Sequence, residues 1–440
     1  MIFSPENIDK RFSDLEVRLL ANQDPNLYVA MLTDFTDADS VTMVDDQRLM
    51  DLASERVDQL NLKYPRPNGA FYLFHRPRLW NAEEKKWMGR ERKRGKIEDL
   101  NDLLAAGDDR AFTLIKGKRD ILPSIKYVIT LDADTIMARD SARKFIGAMA
   151  HPLNHPVYDA ERGLVTSGYG LLQPKVSDSL AVGGNSRYAS LCVSEVGLDQ
   201  YTQTTSNVYQ DLFGQGSFIG KGIYDLDIFR KVLNRRFPDN RILSHDLLEG
   251  CYVRSGLLSD VHLYEEYPSQ YSSDVARRHR WIRGDWQISG WLWPTVPGPK
   301  GPENNPLSAL CRWKIFDNLR RSLTPAALTL LMLTGWLATG NPWCWTLAVL
   351  GVVLRPSLLA SAINAFKKPQ GLRVGQYLSS LARLMPLRLA RAAFTLVTLP
   401  HAAFYSLDAI VRSLWRMKIS RTNLLQWQPS QAAEKNCPKT

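Results

Sequence analysis

Two apolar tracts that follow one another near the C-terminal end constrain the fold more than any other feature of the chain. Residues 324–339 carry no charge, residues 343–366 carry a single charged side chain, and a turn at 340–342 separates them. A membrane-spanning helix needs about 20 apolar residues, which the first tract also reaches if it is extended back to residue 319 with its arginines at the interface. We predict a helical hairpin through a bilayer. A buried hairpin of a soluble protein is the alternative, and it is disfavoured because basic residues flank the tracts instead of interrupting them.

The positive charge of the chain is concentrated in the same region. The 440 residues have a formal net charge of +11, and residues 355–421 hold eleven Lys or Arg residues against one acid, Asp408. A third apolar run, 392–411, is broken by a proline and either spans the bilayer or lies in its interface. Basic loops face the cytoplasm, so the Lys and Arg residues before this run predict that residues 1–320 are cytoplasmic.

The cysteines and the first residues agree with a reducing location. The five cysteines are odd in number and none forms a CxxC pair, which argues against a disulfide framework and against a zinc site. The opening sequence MIFSPENIDKRF lacks the apolar core of a signal peptide. We therefore expect any membrane insertion to come from within the chain.

The first 320 residues alternate short apolar runs with helical patterns, which is typical of an α/β fold. The runs 27–33, 70–75 and 127–131 are rich in Val, Ile, Tyr and Phe and predict buried strands, and residues 141–153 have helical spacing. The predicted organisation is an α/β domain at 1–320, membrane or interfacial helices at 321–412, and a tail at 413–440.

Acidic residues follow two of the predicted strands. Asp132 and Asp134 come directly after residues 127–131, and Asp34 follows residues 27–33. Open α/β sheets bind ligands at the carboxyl ends of their strands. Two neighbouring carboxylates need a cation, and oxygen ligands favour Mg²⁺ or Mn²⁺ carrying a diphosphate. The alternative is a solvated turn, in which Asp is common.

A basic run lies between these two strands. Residues 87–101, WMGRERKRGKIEDLN, include Lys96 and lead into a predicted helix. A solvated surface is the ordinary interpretation of such a run. Because it stands between two predicted strands that are each followed by acidic residues, we interpret it as a loop that closes over a nucleotide and its diphosphate.

Asp246 begins an apolar helical turn in the sequence SHDLLEG. It is either a helix N-cap, a common use of Asp, or a general base that accepts a hydroxyl proton. The preceding glycine-rich segment 210–225 has neither the Walker spacing nor the GxGxxG spacing. We interpret it as a close approach of the backbone to a bulky ligand.

The sequence RRHRWIRGDWQISGW, residues 277–291, combines cationic side chains with tryptophans. A helix over residues 275–293 places Arg277, Arg280 and Trp281 on one face, where paired guanidinium groups suit a diphosphate. The tryptophans suit sugar faces or a membrane interface. Nucleic acid is disfavoured as a partner because the surrounding domain is nearly neutral, whereas nucleic-acid sites are strongly basic.

The order of these motifs resembles that of the processive inverting family 2-like glycosyltransferases, the cellulose and hyaluronan synthases. Their D, DxD, TED and QxxRW motifs correspond to Asp34, to Asp132 and Asp134, to Asp246, and to the segment from Arg277 to Trp281. The segments LTDFTDA, ERKRGKIEDLN, LDADT, GSFIGKGIYD, RILSHDLLEGCY and RRHRWIRGDWQ are similar to the glycosyltransferase domain of bacterial cyclic β-1,2-glucan synthases. This resemblance covers roughly residues 16–428.

The resemblance implies a GT-A fold, UDP-glucose as donor, inversion, and a growing β-1,2-glucan as acceptor and product, at a bacterial inner membrane. It implies uridine contact at Asp34, and binding of UDP and the Mg²⁺ or Mn²⁺ ion by Asp132 and Asp134; Lys96, in the basic run, is expected to bind the same donor. Further implied roles are the base at Asp246, and diphosphate and acceptor binding by Arg277, Arg280 and Trp281. Arg277 stands where most processive synthases have Gln, and His245 replaces Glu.

Full-length members of this family carry further modules, including a phosphorylase-like one, so we expect the chain to be a truncated piece. Two alternatives stay open: a synthase of another β-glucan linkage, and a non-catalytic membrane remnant or subunit of a larger synthase.

Overall fold

A computed structural model describes residues 7–178, 186–192, 208–298, 301–338, 340–366 and 374–427. Lys367, Lys368 and Arg373 of the predicted cytoplasmic loop lie outside these ranges. The strands are β1 (Val29–Asp34), β2 (Phe71–Arg76), β3 (Leu79–Asn81), β4 (Lys86–Met88), β5 (Leu114–Lys116), β6 (Tyr127–Thr130), β7 (Ile136–Met137), β8 (Val157–Asp159), β9 (Leu164–Ser167), β10 (Leu171–Asp178), β11 (Gly222–Asp225), β12 (Ser255–Glu265), β13 (Thr295–Gly298) and β14 (Gly301–Asn304).

Helices connect and cover these strands. They are α1 (Ile8–Ala21), α2 (Asp46–Lys63), α3 (Arg92–Ala106), α4 (Ser141–Met149), α5 (Arg187–Cys192), α6 (Val208–Phe213), α7 (Leu226–Leu233), α8 (Asp246–Tyr252), α9 (Tyr271–Gln287), α10 (Ala309–Ala338), α11 (Pro342–Phe366) and α12 (Val374–Trp415). The three predicted strands and the helix predicted after the third are present as β1, β2, β6 and α4. The alternation of strands and helices confirms the α/β class.

The strands that end at the site belong to two sheets. In the first, β1 pairs in parallel with β2, and β5 adds to β2 in the antiparallel sense. Asp34 and Arg76 are Cα partners at the end of the β1 and β2 ladder. The second sheet has the order β6-β11-β10-β12-β7. Its strand β6 leads into Asp132.

The core explains why β2 is apolar on both faces. Phe71 and Leu73 pack with α1 and α2, whereas Tyr72 and Phe74 pack with α3. Successive side chains of a strand point to opposite faces, so a strand between two helical layers must be apolar throughout. The two layers hold β1 and β2 rigidly and leave their carboxyl ends at the cleft described below.

The apolar C-terminal tracts form helices. Helices α10 and α11 follow one another through the turn at Gly340 and Asn341, as a hairpin requires. Within the described residues, 385–420 is the one helical stretch both long and apolar enough to cross a membrane. Helix α10 runs through the predicted boundary at residue 320. The number of spans and the division into domains remain predictions.

The last part of α12 packs on α9. The Tyr271 hydroxyl lies 2.8 Å from His401 Nδ1, and His279 Nε2 lies 2.9 Å from Asp408 Oδ2. The Ser413 hydroxyl donates to the Arg283 carbonyl at 3.1 Å. The polar residues that interrupt the third apolar run therefore bind a helix of the α/β region.

Candidate active site

A cleft of about 1670 Å³ opens between the carboxyl ends of β1 and β6 and helix α9. The eight residues predicted for the site all lie on its walls: Asp34, Lys96, Asp132, Asp134, Asp246, Arg277, Arg280 and Trp281. Their individual roles remain predictions.

Asp34 is a buried carboxylate held by two cations. Its two oxygens accept from Arg76 at 2.8 and 3.0 Å, and Lys96 Nζ lies 3.3 Å from Oδ2. Burial alone would raise the pKa of Asp34, but Lys96 and Arg76 hold it well below its usual range. A Cβ on Gly89 would stand 2.4 Å from Oδ2, so glycine is needed at that position. Asp34 is therefore ionised and fixes Lys96 beside the cleft.

Arg76 was not among the predicted site residues. It is 2% exposed and also donates to Asp99 at 2.6 Å. Its position in the sequence could have identified it, because Arg76 comes one residue after the apolar run 70–75. A buried strand between two helical layers therefore ends in a charged side chain. Such a charge needs a partner, and Asp34 at the end of the adjacent strand supplies it.

Asp132 lies between two lysines. Its Oδ1 accepts from Lys93 at 2.6 Å, and Lys221 Nζ lies 3.2 Å from its Oδ2. Lys221 is also paired with Glu265. Burial alone would raise the pKa of Asp132, but the two lysines hold it well below its usual range. Two ammonium groups therefore stand beside the ionised Asp132 at this end of the cleft before any ligand binds.

The loop after β6 is clamped from behind by helix α1. Arg11 donates to the Ala133 carbonyl at 2.7 Å, and Arg18 donates to the carbonyls of Ala133 and Thr135 at 3.2 and 2.9 Å. This clamp leaves Asp134 exposed at the cleft. The predicted metal ligands thus differ: Asp134 is open to solvent, whereas both oxygens of Asp132 already contact ammonium groups.

Asp246 is the first residue of α8. The N-cap residue is His245, so the alternative of Asp246 as the N-cap is wrong. Asp246 packs closely against the backbone, because a Cβ on Gly220 would lie 2.6 Å from its Oδ1. Within the described part of the chain, this buried Oδ1 has no hydrogen-bond partner. The carboxylate as a whole is partly exposed on the cleft wall, where it can meet a ligand.

His245 and Glu249 flank Asp246 and were not predicted. The Nδ1 of His245 lies 2.8 Å from Glu249 Oε1 and 3.7 Å from Asp246 Oδ1, and both His245 and Glu249 are 3% exposed. Burial alone would lower the pKa of His245, but Glu249 and Asp246 raise it. The ligand atoms of the three residues lie within 4.8 Å of one another, a spacing that also suits a metal ion. Their i, i+1 and i+4 spacing at a helix start was a signal that could have identified this cluster.

Helix α9 brings Arg277, Arg280 and Trp281 to the cleft, as the predicted helix over 275–293 requires. Arg277 donates to Asp274 at 2.7 Å, and its guanidinium lies 4.9 Å from the Tyr267 ring and 4.8 Å from the Trp281 ring. This sandwich fixes Arg277 against the aromatic rings. Arg280 also lines the cleft, and its guanidinium lies 5.8 Å from the centroid of the Trp427 ring.

Burial and the neighbouring Arg277 lower the pKa of Arg280. Two guanidinium groups one helical turn apart repel each other, and an anion between them relieves that repulsion. The helix therefore presents a site for a negatively charged group.

Comparison with known proteins gives one strong match. The chain is 37% identical over 432 residues to the cyclic beta-(1,2)-glucan synthase NdvB of Rhizobium meliloti (strain 1021). The match covers 97% of this chain and 15% of the length of that protein. No protein-family model matches the chain. The resemblance expected from the motifs is confirmed, and the chain is related in sequence to one segment of a cyclic β-(1,2)-glucan synthase.

Proposed function

We propose that this chain is a glycosyltransferase with a GT-A fold that transfers glucose from UDP-glucose to O2 of a growing β-1,2-glucan, with inversion at the anomeric carbon. The observation that carries the proposal is the meeting of eight residues, from five parts of the chain, on the walls of one cleft. The sequence relation to a cyclic beta-(1,2)-glucan synthase supports glucan synthesis as the activity.

The donor binds along the basic side of this cleft. The nucleoside lies at Asp34 and Lys96, where the carboxylate is already ionised. The diphosphate lies among Lys93, Arg277 and Arg280, because these side chains offer positive charge at the cleft. Fixed charges of this kind stabilise the negative charge that develops on the leaving diphosphate without reorganising.

The acceptor hydroxyl approaches Asp246. As O2 of the acceptor forms its bond to C1 of glucose, the bond from C1 to the UDP oxygen breaks and UDP keeps the electron pair. The O2 proton passes to the carboxylate of Asp246, which lines the cleft and is partly exposed there. Attack from the face opposite the leaving group inverts the anomeric centre. The Trp281 ring, which is 44% exposed, offers a flat apolar face for the terminal acceptor sugar.

A divalent cation, Mg²⁺ or Mn²⁺, fits this site with Asp134 as the principal ligand. Carboxylate oxygens suit these hard cations, and Asp134 is exposed at the cleft. Asp132 can join it when Lys93 or Lys221 moves from its carboxylate to the diphosphate. When bound, such a cation neutralises part of the diphosphate charge. Lys93 and Lys221 likewise bring positive charge to the carboxylate of Asp132.

The cytoplasmic face of a bacterial inner membrane is the proposed location. The apolar stretch 385–420 and the hairpin of α10 and α11 support membrane association. UDP-glucose is a cytoplasmic metabolite of the kind that the basic cleft would bind, so the cleft faces that side. Partner modules of a larger synthase, including a phosphorylase-like one, belong to the same proposal.

The test uses the whole chain in membranes with radiolabelled UDP-glucose. Transfer to glucan is expected to require added Mg²⁺ or Mn²⁺, and Asp246→Asn is expected to lower kcat by about 10²–10⁴-fold. Asp260→Asn, an exposed strand residue outside the cleft, serves as the matched control and should keep full activity. Linkage analysis and NMR of the product then separate a β-1,2-glucan from another linkage. Transfer that is unchanged in Asp246→Asn would refute the base assignment, and absence of both UDP binding and transfer would indicate a non-catalytic remnant.

A further inference from the structure

A short segment after the membrane helix returns to the cleft. Helix α12 ends at Trp415, a π-helical turn covers Arg416–Ser420, and the chain then passes through Leu424 and Leu425, which are 4% and 0% exposed. We call residues 424–427 the return segment. Its burial is unexpected for residues that follow an apolar helix, since the predicted tail began at residue 413.

Side chains from separate elements bind the main chain of the return segment. Gln287 donates to the Leu424 carbonyl at 2.9 Å, and the Leu425 N–H donates to Glu84 at 2.7 Å. Arg92 donates to the Leu425 carbonyl at 2.9 Å, and Arg283 donates to the Gln426 carbonyl at 2.8 Å. Leaving such buried groups unpaired is costly. These four bonds therefore hold the segment in one position.

The segment ends by placing Trp427 on the wall of the cleft. The side chain is partly exposed there, and the Arg280 guanidinium lies 5.8 Å from its ring centroid. Helix α9 thus carries two arginines that each face a tryptophan: Arg277 with Trp281 of the same helix, and Arg280 with Trp427. The second pair depends on a residue 147 positions away in the sequence.

The anchors place Trp427 on the donor side. Arg92, which binds Leu425, also binds Asp37 at 2.8 and 2.7 Å, three residues after Asp34. Asp34 and Lys96 form the proposed nucleoside end of the cleft. The return segment therefore connects the nucleoside end of the cleft to α9. Its Trp427 faces Arg280, whereas Trp281 faces Arg277.

We propose that Trp427 is a donor-binding residue whose ring contacts the nucleoside diphosphate and orients the Arg280 guanidinium toward it. This inference rests on the proposed function and adds a residue to it. A guanidinium stacked on an aromatic ring keeps its in-plane donors free for phosphate oxygens. Because the return segment follows α12 directly, the donor site is then built partly by the membrane helix.

UDP alone is the probe, because its binding requires no transfer. With the full chain in membranes, Trp427→Ala is expected to raise the Kd for UDP roughly tenfold, the size typical of losing one base-stacking aromatic. Trp427→Phe should keep the Kd within about threefold, since the ring face is retained. In transfer assays, Trp427→Ala should raise the KM for UDP-glucose by a similar factor and leave the KM for an oligoglucan acceptor unchanged.

Trp293→Ala is the matched control, because this tryptophan is 68% exposed and lies outside the cleft. It should bind UDP as the unaltered chain does. Equal UDP binding by Trp427→Ala and the unaltered chain would overturn the inference while leaving the proposed function intact, as would a change confined to the acceptor KM. Loss of binding in Trp427→Phe equal to that in Trp427→Ala would also overturn it, since the ring face would then be irrelevant. An unaltered chain that binds no UDP would overturn the proposed function itself.

Discussion

Gly220 offers a sharp test of whether the close packing around Asp246 matters for transfer. Gly220 has φ +86°, and a Cβ built on it lies 2.6 Å from Asp246 Oδ1 and 2.9 Å from Lys93 Nζ. Ordinary contact begins at 3.4 Å, so Gly220→Ala must push the Asp246 carboxylate back by about 0.8 Å. A displacement of about 1 Å at a catalytic group can cost about a hundredfold in rate. We expect kcat to fall by about 10- to 100-fold, an increase in the barrier of about 1.4–2.7 kcal/mol.

The backbone strain of this substitution needs its own control. Alanine in the left-handed region costs about 1–2 kcal/mol wherever it is placed. Gly107, at the end of α3, has φ +69° and nothing within 4 Å of its built Cβ. Gly107→Ala therefore carries the same kind of strain without touching the cleft, and both variants should lose a few degrees of thermal stability.

The assay compares kcat for glucose transfer and the thermal unfolding temperature of the two variants in parallel. The reasoning predicts similar unfolding temperatures and a large difference in kcat. A Gly220→Ala protein with kcat within twofold of the unaltered chain would refute the argument. An equal loss of activity in Gly107→Ala would show that strain alone, and not the position of Asp246, is responsible.

Three further predictions concern titratable side chains in or near the cleft. Arg76→Met leaves the buried Asp34 carboxylate with a single cationic partner and should destabilise the fold by about 3–5 kcal/mol. The measurement is the unfolding temperature, which should fall in Arg76→Met and be partly restored when Asp34→Asn is added to the same chain. Lys93→Met removes one of the two ammonium groups that contact Asp132, so the pKa of Asp132 should rise toward its usual value. UDP should then bind about tenfold more weakly, and unchanged UDP binding would show that Lys93 does not contact the donor. Burial lowers the pKa of His75 to about 4, below the value of about 6.5 in an unfolded chain. The unfolded chain therefore takes up a proton first, and stability that is complete above pH 6.5 decreases as the pH falls toward 4; His75→Gln should flatten this dependence in thermal unfolding scans.

Local patterns were sufficient to predict the strand ends and the residues that follow them. The runs 27–33, 70–75 and 127–131 are compact and apolar because β1, β2 and β6 are covered by helices, and that requirement is visible in the sequence. Asp34 and Asp132 each follow the carboxyl end of a strand, and together with residues of α9 they line one cleft, although β1 and β6 belong to different sheets. The general position of the site could therefore be predicted without coordinates.

The partners of these residues depend on long-range contacts that no local pattern records. Arg76 pairs with Asp34 through strand register, and Lys221 reaches Asp132 from the position just before β11. Trp427 meets Arg280 only because α12 brings the chain back across α9. Sequence spacing carries no information about contacts over such distances. The predicted tail at 413–440 shows the consequence, since its residues 424 and 425 are bound by side chains of the α/β region and Trp427 lies on the cleft wall.

The packing of α12 on α9 decides which fragments of this chain can work. A water-soluble piece ending at residue 320 would contain α9 but would remove the partners of Tyr271 and His279 and the residue that faces Arg280. The polar surface of α9 would then face solvent, and Gln287 and Glu84 would lose the main-chain groups they bind. Preparation of the chain with α10, α11 and α12 intact is therefore a requirement for enzymology, and an inactive fragment without them would say nothing about the chemistry of the intact chain.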